Sequence, residues 1–221
     1  MSISRLVDAE ALAAYPADRL LDVLRAVTMI LTLPSAAAQR AEGLAVLTGQ
    51  GETWRLTHAI ADWEANPGRR HLLIATTNEA ERTSAPVTLD TLRALGLRRT
   101  AGVRIQPVPA AHTAVQAEWL AGQVDAHGIT ALALAVSPYH LPRAYLTVLR
   151  ACERRGLHVP LLPAPTAVPP ATPVPESGAT AWDLVPGEVR RILEYTDRGW
   201  IAAPDELRRY LDRLWTTWTQ T

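Results

Sequence analysis

A histidine and an arginine are the residues of this 221-residue chain best suited by type and spacing to do chemistry. They lie in Ser-Pro-Tyr-His-Leu-Pro-Arg, residues 137 to 143, where an apolar run ends and a helix is predicted to begin. Pro142 has a φ fixed near the helical value and lacks an N–H that the first turn does not need, so we expect it at the first helical position. His140 then falls in the turn and Arg143 in the first helical turn. An arginine there opposes the helix dipole unless an anion lies nearby, so the spacing predicts that the anionic group of a ligand binds beside Arg143.

Two neighbours extend this predicted site. Ser137 and Tyr139 are predicted to bind the ligand beside the guanidinium fork of Arg143. We expect His140 to donate a hydrogen bond or to act as a general acid, because an imidazole that titrates near neutral pH can trade protons with a leaving group. The alternative is a solvent-facing Arg143 and a histidine that only caps a loop.

The turn Thr48-Gly49-Gln50-Gly51 is a second candidate, because it follows an apolar segment and precedes a predicted helix. Glycines let backbone N–H groups approach a ligand closely, and a helix N-terminus favours negative charge, so the turn can hold a phosphate or a carboxylate. The dinucleotide fingerprint is incomplete, since Trp54 stands where a third glycine would be needed. The P-loop is incomplete as well, because the Lys followed by Ser or Thr is absent. The alternative is a tight turn that merely reverses the chain.

Further polar residues follow other apolar segments or begin predicted helices, and we expect them to converge on the same site. His112 is a second candidate for proton transfer, and the others are predicted to bind ligand. Thr113 equally suits a helix N-cap. No group of His, Cys, Asp or Glu has a recognised metal spacing, so no metal site is predicted. The set is Arg55, Thr76, Asn78, His112, Thr113 and Gln116.

Short apolar segments alternate with stretches of helical periodicity, which predicts the elements that hold these residues. Alternation of strand and helix is typical of an α/β fold, here a three-layer Rossmann-like parallel sheet of about five strands. Right-handed crossovers put all the strand-to-helix turns at one edge of such a sheet, where ligands bind. The predicted strands are residues 43–48, 71–76, 103–108, 129–136 and 157–162.

The chain divides into one α/β core with appendages. Residues 1–42 form a predicted N-terminal helical extension, with an amphipathic helix over 16–33, and residues 43–163 form the core. Residues 164–181 are proline-rich and predict an extended, semi-rigid tether, which could also serve as a proline-motif ligand. Residues 182–221 predict two helices that pack back on the core.

Composition limits the partners. Lys plus Arg and Asp plus Glu both total 22, so there is no basic field, and we expect no nucleic-acid binding. The most apolar N-terminal stretch, residues 26–33, is far shorter than the roughly 20 residues of a membrane span, and no secretory signal is evident, so we expect a cytoplasmic protein that does not bind membranes. A homo-oligomer is possible, and Trp200, Trp215 and Trp218 are candidate interface anchors or core cover.

The segment 137 to 143 resembles the strand-end signature of the YdcF/SanA/ElyC-like family, in which Thr/Ser-x-x-His-x-x-Arg opens a helix. The likeness covers roughly residues 44–163, with a looser likeness near 187–200. Other similar features occur in the same order. They are the turn Gly49-Gln50-Gly51 with Arg55 and Ala59, then Glu79-Ala80 with Leu92 to Gly96, then Thr113, and finally Gly-Glu-Val-Arg-Arg-Ile-Leu-Glu-Tyr at 187–195.

The resemblance implies a small anionic ligand, nucleotide-like or of the S-adenosylmethionine type, and a hydrolase or transferase in which His140 assists. The chain departs from the family at Ala75-Thr76-Thr77, at Gln116 and at Pro107, where members carry an acidic residue. Loss of that carboxylate favours a second hypothesis, a non-catalytic ligand sensor or accessory protein whose C-terminal helices bind a partner.

Overall fold

The computed structural model describes residues 10–218, and its centre is a five-stranded sheet in the order β3-β2-β1-β4-β5, with every neighbouring pair parallel. The predicted α/β, three-layer Rossmann-like fold is therefore confirmed. The fourth and fifth strands begin three and four residues later than predicted, at Leu132 and Leu161. The strands are β1 Gly43–Leu47, β2 His71–Ala75, β3 Val103–Ile105, β4 Leu132–Ala135 and β5 Leu161–Pro163.

Eight α-helices and a short 3-10 turn, Glu10–Ala14, surround the sheet in the described part of the chain. Helices α2, α3 and α4 cover one face, and α1, α5, α6, α7 and α8 cover the other. Among residues 10–218, no helix combines the length and apolarity needed to cross a bilayer. The helices are α1 Ala17–Leu31, α2 Ser35–Ala38, α3 Thr53–Ala65, α4 Leu89–Ala94, α5 Thr113–His127, α6 Leu141–Arg154, α7 Val185–Asp197 and α8 Pro204–Trp218.

The apolar strands explain why both faces are covered. Successive residues of a strand point to opposite faces, and every residue of β1 is buried. Ala45 and Leu47 pack into the core shared with α5 and α6, while Leu44 and Val46 pack into the core shared with α3. A continuous apolar run buried on both faces is typical of a parallel sheet.

The direction in which successive strands are added to the sheet reverses between β1 and β4. From β1 the chain passes through α3 to β2 and through α4 to β3, with both helices on one face, and it then returns through α5 to β4 on the opposite face. The turns that follow β1 and β4 therefore diverge and leave a crevice at the carboxyl edge of the sheet. Such a switch point is where ligands bind in open α/β sheets.

The C-terminal helices pack on the core. Ile192 of α7 and Leu207 and Leu211 of α8 are buried in the same cluster as Leu146 of α6 and Ile30 of α1. Burial of each such side chain contributes on the order of 1.5–3 kcal/mol. These two helices are thus part of the same packed body as the sheet.

Two tyrosine hydroxyls cover the outer edge of the sheet at β5. The N–H of Leu161 donates to Oη of Tyr210 at 2.6 Å, and Oη of Tyr145 donates to the carbonyl of Leu161 at 3.0 Å. Leu161 pairs with Leu132 of β4, and these two groups are the ones that point away from that partner. Side chains from α6 and α8 therefore satisfy the backbone of the edge strand.

Candidate functional site

A cavity of about 480 Å³ opens at the switch point, between the turns that follow β1 and β4. This volume is within the range of roughly 300 to 1,000 Å³ of small-molecule sites. Most of the predicted site residues line it. The turns after β1 and β4 contribute Thr48, Gly49, Gln50, Tyr139, His140 and Arg143. Other elements contribute Arg55, Asn78, His112, Thr113 and Gln116.

Three predicted residues lie outside the cavity wall. Ser137 is fully buried and donates to Oε1 of Glu52 at 2.8 Å. The N–H of Thr76 donates to the side chain of Gln106 at 3.2 Å. Gly51 faces the loop after β2. These three residues lie behind the wall of the cavity and are not part of its lining.

Arg143 pairs with a carboxylate of its own chain. Its Nε donates to Oε2 of Glu188 at 2.6 Å, and its Nη2 donates to Oε1 at 3.1 Å. Glu188 lies in the first turn of α7, and Nη1 of Arg191 donates to the same carboxylate at 2.7 Å. A side-chain carboxylate thus pairs with Arg143 where the sequence predicts the anionic group of a ligand, and the alternative of a solvent-facing Arg143 is wrong.

Glu188 also orients His140. Nδ1 of His140 lies 3.1 Å from Oε2 of Glu188 and 3.0 Å from Nη2 of Arg143. A carboxylate only accepts hydrogen bonds and a guanidinium only donates them, so Glu188 favours a proton on Nδ1 whereas Arg143 favours a lone pair there. Nε2 has no hydrogen-bond partner among the described residues. It is therefore the ring nitrogen that remains free for a group in the cavity that His140 lines.

Burial and charge set the protonation of this cluster. Burial, with the neighbouring positive charge of Arg143, lowers the pKa of His140 to about 4. Burial alone would raise the pKa of Glu188, but Arg143, His140 and Arg191 together hold it well below its ordinary value. His140 is thus neutral at pH 7, and the expectation that it titrates near neutral pH is wrong. It can serve as a base rather than as an acid.

Two helices begin one residue away from where the spacing predicts. Helix α6 starts at Leu141, so Pro142 takes the second helical position and His140 the N-cap position. Helix α5 starts at Thr113, with His112 before it, and neither residue makes a capping side-chain bond. The hydroxyl of Thr113 accepts from Nη1 of Arg143 at 3.1 Å. The alternatives in which the side chain of His140 caps a loop and the side chain of Thr113 caps a helix are therefore wrong.

The glycine turn after β1 also meets a carboxylate. Gly49, Gln50 and Gly51 have φ values of 146°, 61° and 70°. The N–H of Gln50 donates to Oε2 of Glu81 at 2.7 Å, and the Thr77 hydroxyl donates to Oε1 at 2.8 Å. The amide predicted to hold the anion of a ligand is thus bound by Glu81.

The glycines give the loop after β2 room to approach. A Cβ built on Gly49 would lie 3.1 Å from Oγ1 of Thr77, and one built on Gly51 would lie 2.8 Å from Cβ of Thr83. Both distances are shorter than ordinary van der Waals contact. These glycines are therefore required by packing within the chain as well as by positive φ.

A buried ion pair lies at the cavity wall. Arg55 pairs with Glu52, and their side chains are 2% and 0% exposed. The Tyr139 hydroxyl donates to Oε2 of Glu52 at 3.1 Å. Burial raises the pKa of Tyr139 to about 12, so this hydroxyl stays protonated. The charge of Arg55 is thus neutralised within the protein, and Arg55 contributes no surplus positive charge to the site.

Several other predicted side chains join the loops to one another. Nε2 of Gln116 donates to the carbonyls of Thr48 and Thr76 at 3.0 and 3.1 Å. Nδ2 of Asn78 donates to the carbonyl of Ala111 at 3.2 Å. These contacts hold the turns after β1, β2 and β3 together at the sheet edge.

The proline-rich segment forms one wall of the cavity through Glu176 and Ser177. The Glu176 carboxylate accepts from the N–H and the hydroxyl of Thr83 at 2.8 and 2.7 Å, and its own N–H donates to the carbonyl of Gln50 at 3.1 Å. Val174 nearby is fully buried. The predicted tether is therefore docked against the site.

Aromatic rings line the cavity on the side of α7. The rings of His112 and Trp200 are stacked, with centroids 6.1 Å apart and planes 4° apart. Trp200 lines the cavity and is 42% exposed. The side chains of Trp215 and Trp218 lie outside the described residues.

Sequence reasoning missed the acidic residues Glu52, Glu81 and Glu188, together with Arg191. The only signal for Glu188 and Arg191 was the likeness of the segment 187–195 to a family helix, and Glu81 had none. In the part of the chain that the structure describes, no group of three or more His, Cys, Asp or Glu is placed to hold a metal ion. Comparison with protein-family models, curated proteins and solved structures finds no match.

Proposed function

We propose that this protein binds a small anionic molecule, nucleotide-like or of the S-adenosylmethionine type, at the switch point of the sheet and hydrolyses it with His140 as the base. The observation that carries the proposal is the buried arrangement of Glu188, His140 and Arg143 in the cavity wall. Group transfer to another acceptor is the related activity. The equal numbers of acidic and basic residues support a protein without a nucleic-acid partner.

The charges favour an anion at this end of the cavity. Arg143 and Arg191 both line the cavity and share the single carboxylate of Glu188, so one positive charge is not neutralised within the cluster. Interactions between charges are stronger in a partly buried site than in water. A phosphate or carboxylate of the ligand is the group that complements this surplus.

The chemistry follows from the orientation of His140. In the tautomer that Glu188 favours, with the proton on Nδ1, Nε2 can take a proton from a water molecule. The water oxygen then forms a bond to phosphorus or to a carbonyl carbon, the bond to the leaving oxygen breaks, and the proton passes from Nε2 to that oxygen. No serine, threonine or cysteine side chain is hydrogen-bonded to His140 among the described residues, which favours hydrolysis by water over a covalent intermediate on such a group.

Ligand binding would improve this base. The positive charge of Arg143 is one of the causes that lower the pKa of His140. An anion beside Arg143 offsets that charge and raises the pKa of His140 toward its ordinary value. The histidine thus gains basicity when the substrate is present.

The resemblance to the YdcF/SanA/ElyC-like family supports the choice of ligand class. Its Ser/Thr-x-x-His-x-x-Arg signature matches the turn that carries His140 and Arg143. Members of that family carry an acidic residue where this chain has Pro107. Glu188, which lies in the segment similar to the closing helix of the family, provides a carboxylate instead. The departure at Pro107 is therefore compatible with catalysis.

A thermal-shift screen tests binding with a matched pair of variants. Arg191→Met removes the surplus charge, while Arg190→Met removes the neighbouring arginine of α7, which pairs with Glu194 and does not line the cavity. The panel contains nucleotides, S-adenosylmethionine, sugar phosphates and simple carboxylates. We expect an anion at 100 times its Kd to stabilise the wild type by about 2.7 kcal/mol. The same anion should stabilise Arg190→Met equally and Arg191→Met clearly less.

Product analysis with that ligand then tests hydrolysis. His140→Gln should abolish turnover and only weaken binding, because the base is lost while Arg143 and Arg191 remain. Unchanged turnover in His140→Gln would remove the catalytic role of the histidine. No thermal shift with any anion would refute the proposed function itself.

A non-catalytic ligand sensor is the second candidate. The observation that favours it is the complete engagement of the Arg143 guanidinium, whose three nitrogens contact Glu188, Thr113 and His140. A ligand could bind there without assembling a reaction. A wild-type protein that binds an anion and leaves it unchanged over hours would support this candidate, with the C-terminal helices as the surface for a partner.

A further inference from the structure

The cavity has an acidic side as well as a basic one. Glu81, in the loop after β2, lines the cavity on the side of the glycine turn. Its two oxygens accept from the N–H of Gln50 at 2.7 Å and from the hydroxyl of Thr77 at 2.8 Å. Both donors are neutral, and no arginine, lysine or histidine lies within ion-pair distance of Glu81 in residues 10–218. The Glu81 charge therefore lacks an ion-pair partner within the described structure.

We infer that Glu81 binds the vicinal hydroxyls of a sugar, so that the ligand carries a ribose-like diol in addition to its anionic group. This inference rests on the proposed function, because it concerns the same cavity and specifies its ligand further. A carboxylate has about four lone-pair sites on two oxygens, and each oxygen of Glu81 is engaged once. One acceptor site on each oxygen remains, and two neighbouring hydroxyl groups match such a pair.

The acidic side excludes the ligand's phosphate from the glycine turn. A phosphate at the N–H of Gln50 would have to displace Glu81 or lie against its negative charge, and like charges at close range disfavour each other. The anionic group therefore belongs with Arg143 and Arg191, and neutral donors belong with Glu81. A molecule with hydroxyls at one end and a phosphate or carboxylate at the other fits both sides.

Neutral donors can bind Glu81 strongly. A hydroxyl that donates to a carboxylate makes a charge-assisted hydrogen bond, which is roughly twice as strong as one between neutral groups.

The carboxylate is held in position before a ligand arrives. Gln50 adopts a positive φ of 61°, which is uncommon outside glycine, and its N–H is aimed at Glu81. Glu176 of the proline-rich segment accepts two hydrogen bonds from Thr83, two residues after Glu81. A group fixed in this way loses little freedom when it binds, which favours recognition of a defined pair of hydroxyls.

The test compares two ligands that differ only in the diol. Binding of adenosine monophosphate and of dideoxyadenosine monophosphate is measured by calorimetry for the wild type, Glu81→Gln and Glu79→Gln. The glutamine in Glu81→Gln keeps an oxygen for the N–H of Gln50 and loses the charge, while Glu79 is exposed in the same loop and does not line the cavity. Ribose phosphate and deoxyribose phosphate repeat the comparison without the base.

We expect the wild type and Glu79→Gln to prefer the diol ligand by about tenfold or more, as for loss of one charge-assisted hydrogen bond. Glu81→Gln should reduce this preference to about threefold or less. Arg191→Met should weaken both ligands and leave their ratio unchanged. If Glu81→Gln does not fold, Glu81→Asp, which withdraws the carboxylate by one methylene group, takes its place and should also reduce the preference.

Equal binding of the two ligands by the wild type overturns the inference and leaves the proposed anion site standing. A preference that survives in Glu81→Gln also overturns it, because the diol is then recognised elsewhere. No binding of either nucleotide or either sugar phosphate overturns it as well. The wider anion panel then decides separately whether the proposed function holds.

Discussion

The turns after β1 and β4 lie on opposite sides of one crevice, and both contact a carboxylate of their own chain. At the β4 turn, Glu188 meets Arg143, Arg191 and His140, and positive charge is in excess. At the β1 turn, Glu81 meets only neutral donors, and negative charge is in excess. Helix α7 and the loop after β2 supply these two carboxylates. The charge of a turn at a sheet edge is therefore set by the elements that pack on it, and not by its own residues alone.

The two carboxylates also differ in burial. Glu188 is 6% exposed and Glu81 is half-buried. Loss of a buried ionic partner leaves uncompensated charge out of contact with water, whereas water can replace much of what a half-buried group provides. The following changes test this contrast, in order of expected effect.

Removal of each carboxylate should have the largest and the most unequal effect. We expect Glu188→Ala to lower the free energy of unfolding by about 3–5 kcal/mol, because it leaves the buried charge of Arg143 without its carboxylate. Glu81→Ala loses hydrogen bonds to neutral donors and should cost about 1 kcal/mol. Urea denaturation at pH 7 measures both. Equal losses would show that the two sites are not energetically different.

Acid should weaken the fold through His140. Its pKa is about 4 in the folded protein against an ordinary 6.5, so the unfolded chain binds a proton first as the pH falls. The contribution is complete above about pH 6.5 and is lost as the pH falls toward 4. It amounts to about 3 kcal/mol. Urea denaturation over this range should show the decline in the wild type.

Two variants separate the histidines. His140→Gln should remove most of the slope between pH 6.5 and 4.5, whereas His71→Gln, whose histidine also has a pKa lowered by burial, should remove less. An unchanged slope in His140→Gln would mean that His140 is not the group that titrates.

Alanine at Gly51 tests the packing of the β1 turn. Gly51 and Gly178 have φ values of 70° and 72°, but a Cβ at Gly178 meets nothing within 4 Å, while one at Gly51 would contact Thr83 and Pro175. Both substitutions should cost about 1–2 kcal/mol for the left-handed backbone. Gly51→Ala should lose about 1–3 kcal/mol more from overpacking. Equal thermal denaturation midpoints would refute the packing role of Gly51.

The smallest effect is expected at Thr113 beside the β4 turn. Thr113→Val keeps the shape of the side chain and removes the oxygen that accepts from Arg143, which should cost about 1 kcal/mol. Thr113→Ser keeps the oxygen and should restore most of that stability. Chemical denaturation of the two variants gives the difference directly, and similar losses would assign the effect to packing.

The sequence predicts the sheet well because its strands are apolar runs buried on both faces. It predicts the edge at which the cavity opens for the same reason, since parallel strands bring their carboxyl ends to one edge. Helices α6 and α5 begin one residue away from the predicted positions. His140, before α6, already has a helical backbone, with φ −92° and ψ −19°, whereas His112, before α5, remains extended, with φ −164°. Helix propensity could not distinguish which of two neighbouring residues is the first of the helix.

The partners of the predicted residues could not be found in this way. Glu188 is 45 residues from Arg143, beyond the proline-rich segment, and periodicity carries no information about pairing over such a distance. Glu81 had no local signal either. The sequence predicts that the glycine turn holds the phosphate or carboxylate of a ligand, and in the structure the N–H of Gln50 binds the carboxylate of Glu81 from the chain itself.

The tyrosine hydroxyls at β5 have a consequence for how the protein behaves in a crowded solution. An edge strand with free N–H and C=O groups is a template onto which another polypeptide can add a strand. Here Tyr210 and Tyr145 occupy both outward groups of Leu161, and α8 stands across the approach. This margin of the sheet is therefore protected against aggregation by strand addition, without a charged or bulged edge.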